Sequence, residues 1–258
     1  MSWAVITGAS SGLGEEFAWQ FAAEKVGLVL VARRKDRLVS LAHKISQVAG
    51  IPVEVLVADL EKREDLDRVC RRVSDPDKPV DVLVNNAGFG LGQSFLGGDR
   101  HKEEAALDVM VRAVLVLSHA AAHAMSLRGR GAIINVASAT AGTAMGTYAS
   151  HKTWVVNFTE GLSTELQDTG VHVTAVLPGL VHTDFHETAS MDWRAWPTFG
   201  FISRALVVRE AIEAARRGRV LVTPSVMYQA LGCIIRHAPR PMVRALAGAG
   251  LFARALDR

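Results

Sequence analysis

Short runs of β-branched and apolar residues recur along this chain, separated by segments of helical spacing. That alternation limits the possible folds more than any other feature. The runs are Ala4–Thr7, Gly27–Ala32, Val53–Val57, Val80–Val84, Ala132–Val136, Val171–Leu177 and Val220–Thr223. They are continuous rather than alternating, the pattern of strands buried on both faces. Between them the spacing predicts helices over Glu15–Glu24, Asp36–Val48, Glu64–Val73, Lys102–Met125, Tyr148–Gln167 and Arg204–Arg217. Strand and helix in series imply βαβ units, and so an α/β fold with a doubly wound parallel seven-stranded sheet and helices on both faces.

No repeat, low-complexity tract or linker breaks the series, so residues 1–258 read as a single domain. With 49% hydrophobic and 21% charged residues, the chain is too apolar for intrinsic disorder. Cys70 and Cys233 stand far apart without a CxxC pair. This argues against a disulfide framework or a cysteine zinc site and points to a reducing, cytoplasmic setting. The first strand starts almost at the first methionine, so no cleavable leader is expected. Arg112, His119 and His123, or Arg236 and His237, interrupt the longest apolar stretches, so no membrane span is expected. From Arg204 onward ten arginines face only Glu210, Glu213 and Asp257, a net of +7 within a chain of formal charge +3. Their interleaving with Leu, Ala and Met suits a solvated helix face better than a nucleic-acid stripe, and no nucleic-acid partner is expected.

The first strand runs into Gly8-Ala9-Ser10-Ser11-Gly12-Leu13-Gly14 and then into a helix. A glycine turn between a strand and a helix N-terminus lets backbone amides and the helix dipole face phosphates, the anion site of a Rossmann-like dinucleotide fold. After the second strand come Arg33 and Arg34, where an acidic residue would bond a ribose 2′-hydroxyl. Two guanidiniums and no carboxylate favour a 2′-phosphate, hence NADP(H) over NAD(H).

Tyr148 and Lys152 lie four apart at the start of a helix and so on one face. An ammonium this near and an oxidised nicotinamide are both expected to favour the phenolate, lowering the pKa from about 10 and making Tyr148 a workable general acid/base. Ser138 ends the preceding strand, where open α/β sheets place ligands. Together these residues resemble the classical short-chain dehydrogenase/reductase family, in its NADP-preferring form, over essentially the whole chain. Thr7–Gly14 matches the family's TGxxxGxG turn, and Asp59-Leu60 stands where its aspartate meets adenine. Asn85-Asn86-Ala87-Gly88 is its NNAG element. Ser138 with Tyr148 and Lys152 matches the catalytic serine and YxxxK. Pro178-Gly179, with Val181 and Thr183, matches the loop that closes on the nicotinamide. The resemblance implies reversible hydride transfer between nicotinamide and a carbonyl or alcohol carbon of a small, hydrophobic substrate. Tyr148 would donate the proton, Lys152 bind the nicotinamide ribose and Ser138 orient the substrate oxygen. It also implies a homodimer or homotetramer.

Two departures stand out. Met110 occupies the position of the family's usual helix asparagine, whose carbonyl supports a relay water, and a thioether cannot replace an amide. Slower turnover is expected. That position is also the sole motive for a rival reading, a dinucleotide-binding sensor or scaffold. The Ser138–Tyr148 interval is about three residues shorter than is common in the family. His182, Asp184, His186 and Glu187 crowd together without metal-ligand spacing, and no metal is expected. His119 and His123 are expected to line a helix packing face. Trp193, Trp196, Phe199 and Phe201, within the irregular stretch 183–204, suit either a lid over a lipophilic substrate or packing on the domain's own core. The extension 225–258 reads as amphipathic helices broken by Pro239 and Pro241. They would cover the pocket, meet a second subunit or lie on a membrane surface, with subunit packing the leading expectation.

Overall fold

The computed structural model describes residues 2–181 and 200–246. All seven expected strands are present: β1 (Trp3–Thr7), β2 (Gly27–Ala32), β3 (Val53–Val57), β4 (Val80–Asn85), β5 (Gly131–Val136) and β6 (Val171–Val176), with a final strand, Leu221–Val222, shortened to two residues. They form one parallel sheet, in which β3, β2, β1, β4, β5 and β6 are neighbours in that order and the final strand pairs with β6. The order reverses between β1 and β4, and ligands of open α/β sheets bind in the crevice at such a switch.

Alternation within each strand sends side chains to two cores. Ala4, Ile6, Leu28 and Leu30 face one side, covered by α1 (Gly12–Ala23), α2 (Lys35–Ala49) and α7 (Arg204–Arg216). Trp3, Val5, Val29 and Val31 face the other, against α3 (Arg63–Val73) and α5 (Ala113–Arg128). The helix expected over Lys102–Met125 begins earlier, as α4 (Arg100–Leu107), and passes through a π-helical turn at Asp108–Arg112 before α5. From Arg100 to Arg128 this rod is long and apolar enough to cross a membrane by length and composition, but half of its most apolar window is buried inside the protein. Its apolarity serves the second core. His119 and His123 do not line a packing face. Both point to solvent, because α5 turns its Leu117, Ala121 and Met125 inward instead.

α6 (Gly146–Glu165) is tied to the sheet by a buried polar chain. Asn85 Nδ2 donates to Ser118 Oγ at 3.0 Å and to Asn135 Oδ1 at 2.9 Å, and Asn135 Nδ2 donates to Thr159 Oγ1 at 2.9 Å. Adjacent strands and the helices on one face are thereby locked in register, since a slip would strand desolvated amides. Two short strands unannounced by sequence pattern, β7 (Leu180–Val181) and β8 (Phe201–Ile202), pair in parallel. With α7 starting at Arg204, ordered elements occupy the end of the irregular stretch, while 183–199 lies outside the described residues. The extension contains α8 (Val226–His237) and α9 (Arg240–Leu246). Pro241 does not break a helix: it sits in the first turn of α9, where a missing N–H costs nothing.

Candidate active site

The glycine turn at the C-terminal end of β1 is joined to the end of β4 by the side chains of Thr7 and Asn86. Thr7 Oγ1 accepts from the amides of Asn86 and Ala87 at 2.9 and 3.0 Å, and Asn86 Nδ2 donates to Thr7 O at 2.9 Å. Gly8 takes a φ of +65° with its α-carbon hydrogen facing this junction; a β-carbon there would stand 2.9 Å from Ala87 Cα. A β-carbon on Gly14 would reach Gly8 O at 2.3 Å, so only glycine lets α1 start this close to the turn. Ser11, at the N-cap of α1, makes no side-chain cap. The turn is thus a cradle lined by backbone, of the kind that accepts a pyrophosphate.

Arg34 lies across this turn. Its Nε and Nη2 donate to Ser10 Oγ at 3.1 and 2.9 Å, and Nη2 also donates to Ser11 Oγ at 2.7 Å. Arg33 diverges from it and pairs with Glu61 at 3.1 Å. The two guanidiniums expected to act together therefore separate, and Arg34 alone is gathered with the serines. Asp59 follows β3, its carboxylate accepting from the Glu61 amide and its own amide donating to Asp65. Leu60 is buried in the second core.

Ser138 follows β5. Its Oγ accepts from Thr140 Oγ1 at 2.9 Å and is hydrogen-bonded to the Tyr148 hydroxyl, so the shortened interval still brings serine and tyrosine together. Lys152 is 5% exposed, and its Nζ donates to Val136 O at 2.7 Å. The ammonium stands 5.8 Å from the centre of the Tyr148 ring. Among the protein's own groups, burial rather than the ammonium governs the phenol. Burial pushes Tyr148 up to about 12, with the Ser138 hydrogen bond working the other way, and burial brings Lys152 down to about 8. At neutral pH the phenol is protonated and the lysine still charged. Met110, fully buried in the π-helical turn, seals the far side: a β-carbon on Gly88 would lie 3.4 Å from the Met110 sulfur and 3.6 Å from Lys152 Nζ.

Pro178 and Gly179 follow β6, with Pro178 O accepting from the Ala139 amide at 2.8 Å. Val181 is buried in β7, and Thr183, like His182, Asp184, His186 and Glu187, lies outside the described residues. Sequence reading missed two neighbours. The Tyr228 ring covers Gly179 so closely that a β-carbon there would be 2.0 Å from it. Its hydroxyl accepts from the Leu180 amide and donates to Gly200 O, both at 3.1 Å. His151, between the tyrosine and the lysine, is half-buried, and burial lowers its pKa against the opposing field of Glu103. Glu103 in turn accepts from Thr147 Oγ1 at 2.7 Å and Gln93 Nε2 at 3.1 Å.

A backbone cradle at the sheet's switch point, beside a serine–tyrosine–lysine group, defines a dinucleotide-dependent oxidoreductase class of site. The comparisons agree. The short chain dehydrogenase family model matches residues 2–194, and the chain belongs to that family. An uncharacterized oxidoreductase of Staphylococcus saprophyticus is 34% identical over 195 residues, covering 74% of this chain and 82% of the relative. Among solved structures, a short-chain dehydrogenase from Sphingobium yanoikuyae in complex with NADPH superposes with a TM-score of 0.83 at 31% identity, covering 92% of this chain and 94% of that one. A bulky-bulky ketone specific alcohol dehydrogenase from Comamonas testosteroni gives 0.78 at 28% identity, covering 93% and 96%. The protein is an oxidoreductase of a family that binds a nicotinamide cofactor and acts on small molecules.

The buried ammonium carries a testable stability signature. The native state releases the Lys152 proton near pH 8 while the unfolded chain holds it to about 10.5, so the unfolded state binds more protons in between and stability rises with pH across that window. Relative to Lys152→Met, the unfolding free energy of the unmodified protein should climb between those limits by up to about 3 kcal/mol. Parallel denaturant titrations of the two proteins check this, and a flat difference refutes the burial of a charged lysine.

Proposed function

We propose that this protein is an NADP(H)-dependent reductase of carbonyl compounds, running in reverse on the corresponding alcohols, with a preference for apolar substrates. The observation that carries the reading is the Ser138–Tyr148 hydrogen bond beside the buried Lys152 ammonium. In reduction, the Tyr148 phenol gives its proton to the carbonyl oxygen, and burial keeps that proton in place at neutral pH. Ser138 holds the same oxygen and fixes its approach. Lys152 binds the nicotinamide ribose and supplies a positive charge that favours phenolate once the proton has left. When bound, the nicotinamide supplies or accepts the hydride. The turn at Gly8, Ser10, Ser11, Gly12, Leu13 and Gly14 would hold the pyrophosphate, and Asp59, Leu60 and Asn86–Gly88 the adenosine and riboses. Pro178, Gly179, Val181 and Thr183 would border the nicotinamide.

NADP(H) is favoured by Arg34, whose guanidinium already shares hydrogen bonds with Ser10 and Ser11, a cluster suited to a 2′-phosphate. The NADPH complex of the Sphingobium yanoikuyae relative supports the same choice. Likeness to the Comamonas testosteroni enzyme, which is specific for bulky-bulky ketones, supports a ketone with bulky substituents. A sensor without turnover has no use for the serine–tyrosine pair.

Incubation with NADPH and a panel of aryl and alicyclic ketones should consume absorbance at the nicotinamide band, and Tyr148→Phe should cut kcat by about 10²- to 10⁴-fold. Tight NADPH binding without turnover across the panel defeats the reading. Arg34→Ala should weaken NADPH by about tenfold to a hundredfold and leave NADH unchanged, as binding titrations would report. Met110→Asn should raise kcat by up to about tenfold if the thioether throttles proton supply to Lys152. An unchanged or lower rate in steady-state assays excludes that throttle.

A further inference from the structure

Helix α8 buries none of its residues. It meets the body of the protein through Tyr228 and Ile235, one heptad apart, and leaves Met227, Ala230, Leu231 and Ile234 exposed at the i, i+3, i+4, i+7 spacing of a single stripe. In α9 Val243 alone is buried, while Met242 and Leu246 are exposed. Of the thirteen large hydrophobic side chains exposed among the described residues, six fall within residues 226–246, with Ile234 65% and Leu246 70% exposed. A solvated helix has no need of such a stripe, and contiguous exposed apolar surface marks an interaction face.

The charge around the stripe points to one occupant. α8 and α9 carry three arginines and no carboxylate, while the arginines at the end of α7, Arg216 and Arg217, are already paired with Glu24 and Glu213. Arg236, Arg240 and Arg244, with His237, are exposed on α8 and α9 themselves, and Arg240 Nη1 reaches Gly142 O at 2.7 Å. A second copy would bring no carboxylate from its own α8 or α9 to meet these guanidiniums. A surface of anionic lipid satisfies both halves of the pattern, because phosphates meet the guanidiniums and the acyl boundary takes the apolar side chains.

We propose that α8 and α9 form a docking surface for an anionic lipid bilayer. The helices lie in the plane of the headgroups, with Met227, Leu231, Ile234, Met242 and Leu246 entering the boundary and Arg236 and Arg244 on lipid phosphates. The inference stands apart from the catalytic reading, since neither the stripe nor these arginines contribute to the serine–tyrosine–lysine group.

Flotation of the full-length protein with vesicles tests it. Vesicles of phosphatidylcholine with about one-third phosphatidylglycerol should carry the protein up the gradient, vesicles of phosphatidylcholine alone should not, and salt at about 0.5 M should release it. Leu231→Asn with Ile234→Asn should lower the partition by about a hundredfold. Arg236→Gln with Arg244→Gln should lower it by about tenfold or more and abolish the preference for anionic vesicles. Because all four side chains are exposed, melting temperatures should be unchanged, and the arginine variant and the salt series decide the matter even if the asparagine variant folds poorly. Absence of flotation, or equal flotation with both vesicles, overturns the proposal. So does a dimer in solution that Leu231→Asn with Ile234→Asn converts to monomer without any vesicle binding, an outcome that assigns the face to a second copy.

Discussion

The arrangement of this site rests on a buried ammonium ion. Lys152 gives up hydration to sit against Val136 O, and a charge taken out of water is tolerated only where a fixed acceptor meets it. That single hydrogen bond ties α6 to the C-terminal end of β5, which is also where Ser138 emerges. The helix then has one rotational setting, and one turn back along it Tyr148 is presented to Ser138. Positioning and electrostatics therefore have a common origin. The burial that keeps the phenol protonated also brings the lysine close to losing its proton.

The remainder of the crevice is fastened by polar side chains that do no chemistry. Thr7 and Asn86 join the two strand ends flanking the switch point, and Asn85, Asn135, Ser118 and Thr159 extend the tie through β5 to α6. Each is buried or nearly so and shares a hydrogen bond with another element, although the Thr159 hydroxyl itself donates back to Val155 O in its own helix. In a sheet otherwise packed with Val, Ile and Leu, such groups penalise every misregistered alternative. The cradle and the acid thus stand at a set separation without a loop having to hold them.

Much of this is legible from residues alone, for physical reasons that also mark where legibility ends. Strands buried on both faces are continuous in sequence, so all seven are visible; the sixth is one residue shorter than its apolar run, and the last two residues shorter. Tyr148 and Lys152 declare themselves by helical spacing, and the glycine turn by its place after the first strand. The acceptor of the lysine is a main-chain carbonyl, which has no signature in sequence, and the depth to which the phenol is buried has none either. The π-helical turn at Asp108–Arg112 preserves an apolar pattern and leaves no mark either. β7 and β8 are two residues each, too short for any period. The alanines around His119 and His123 suggest a packing face, but those alanines take the inward positions themselves. Tyr228 is one of two tyrosines in the chain, and that rarity is the one available signal; its partners lie 28 and 48 residues away.

The bonds of that tyrosine have a consequence for how the loop after β6 is held. One hydroxyl holds residues 180 and 200, and the parallel pairing of Leu180–Val181 with Phe201–Ile202 fixes the same two points again. Residues 180 and 200 are therefore held together twice over, by a ring hydroxyl and by a strand pair. One side chain of α8 thus fastens the loop after β6 to the strand before α7, and without it only a two-residue strand pair among the described residues would hold them.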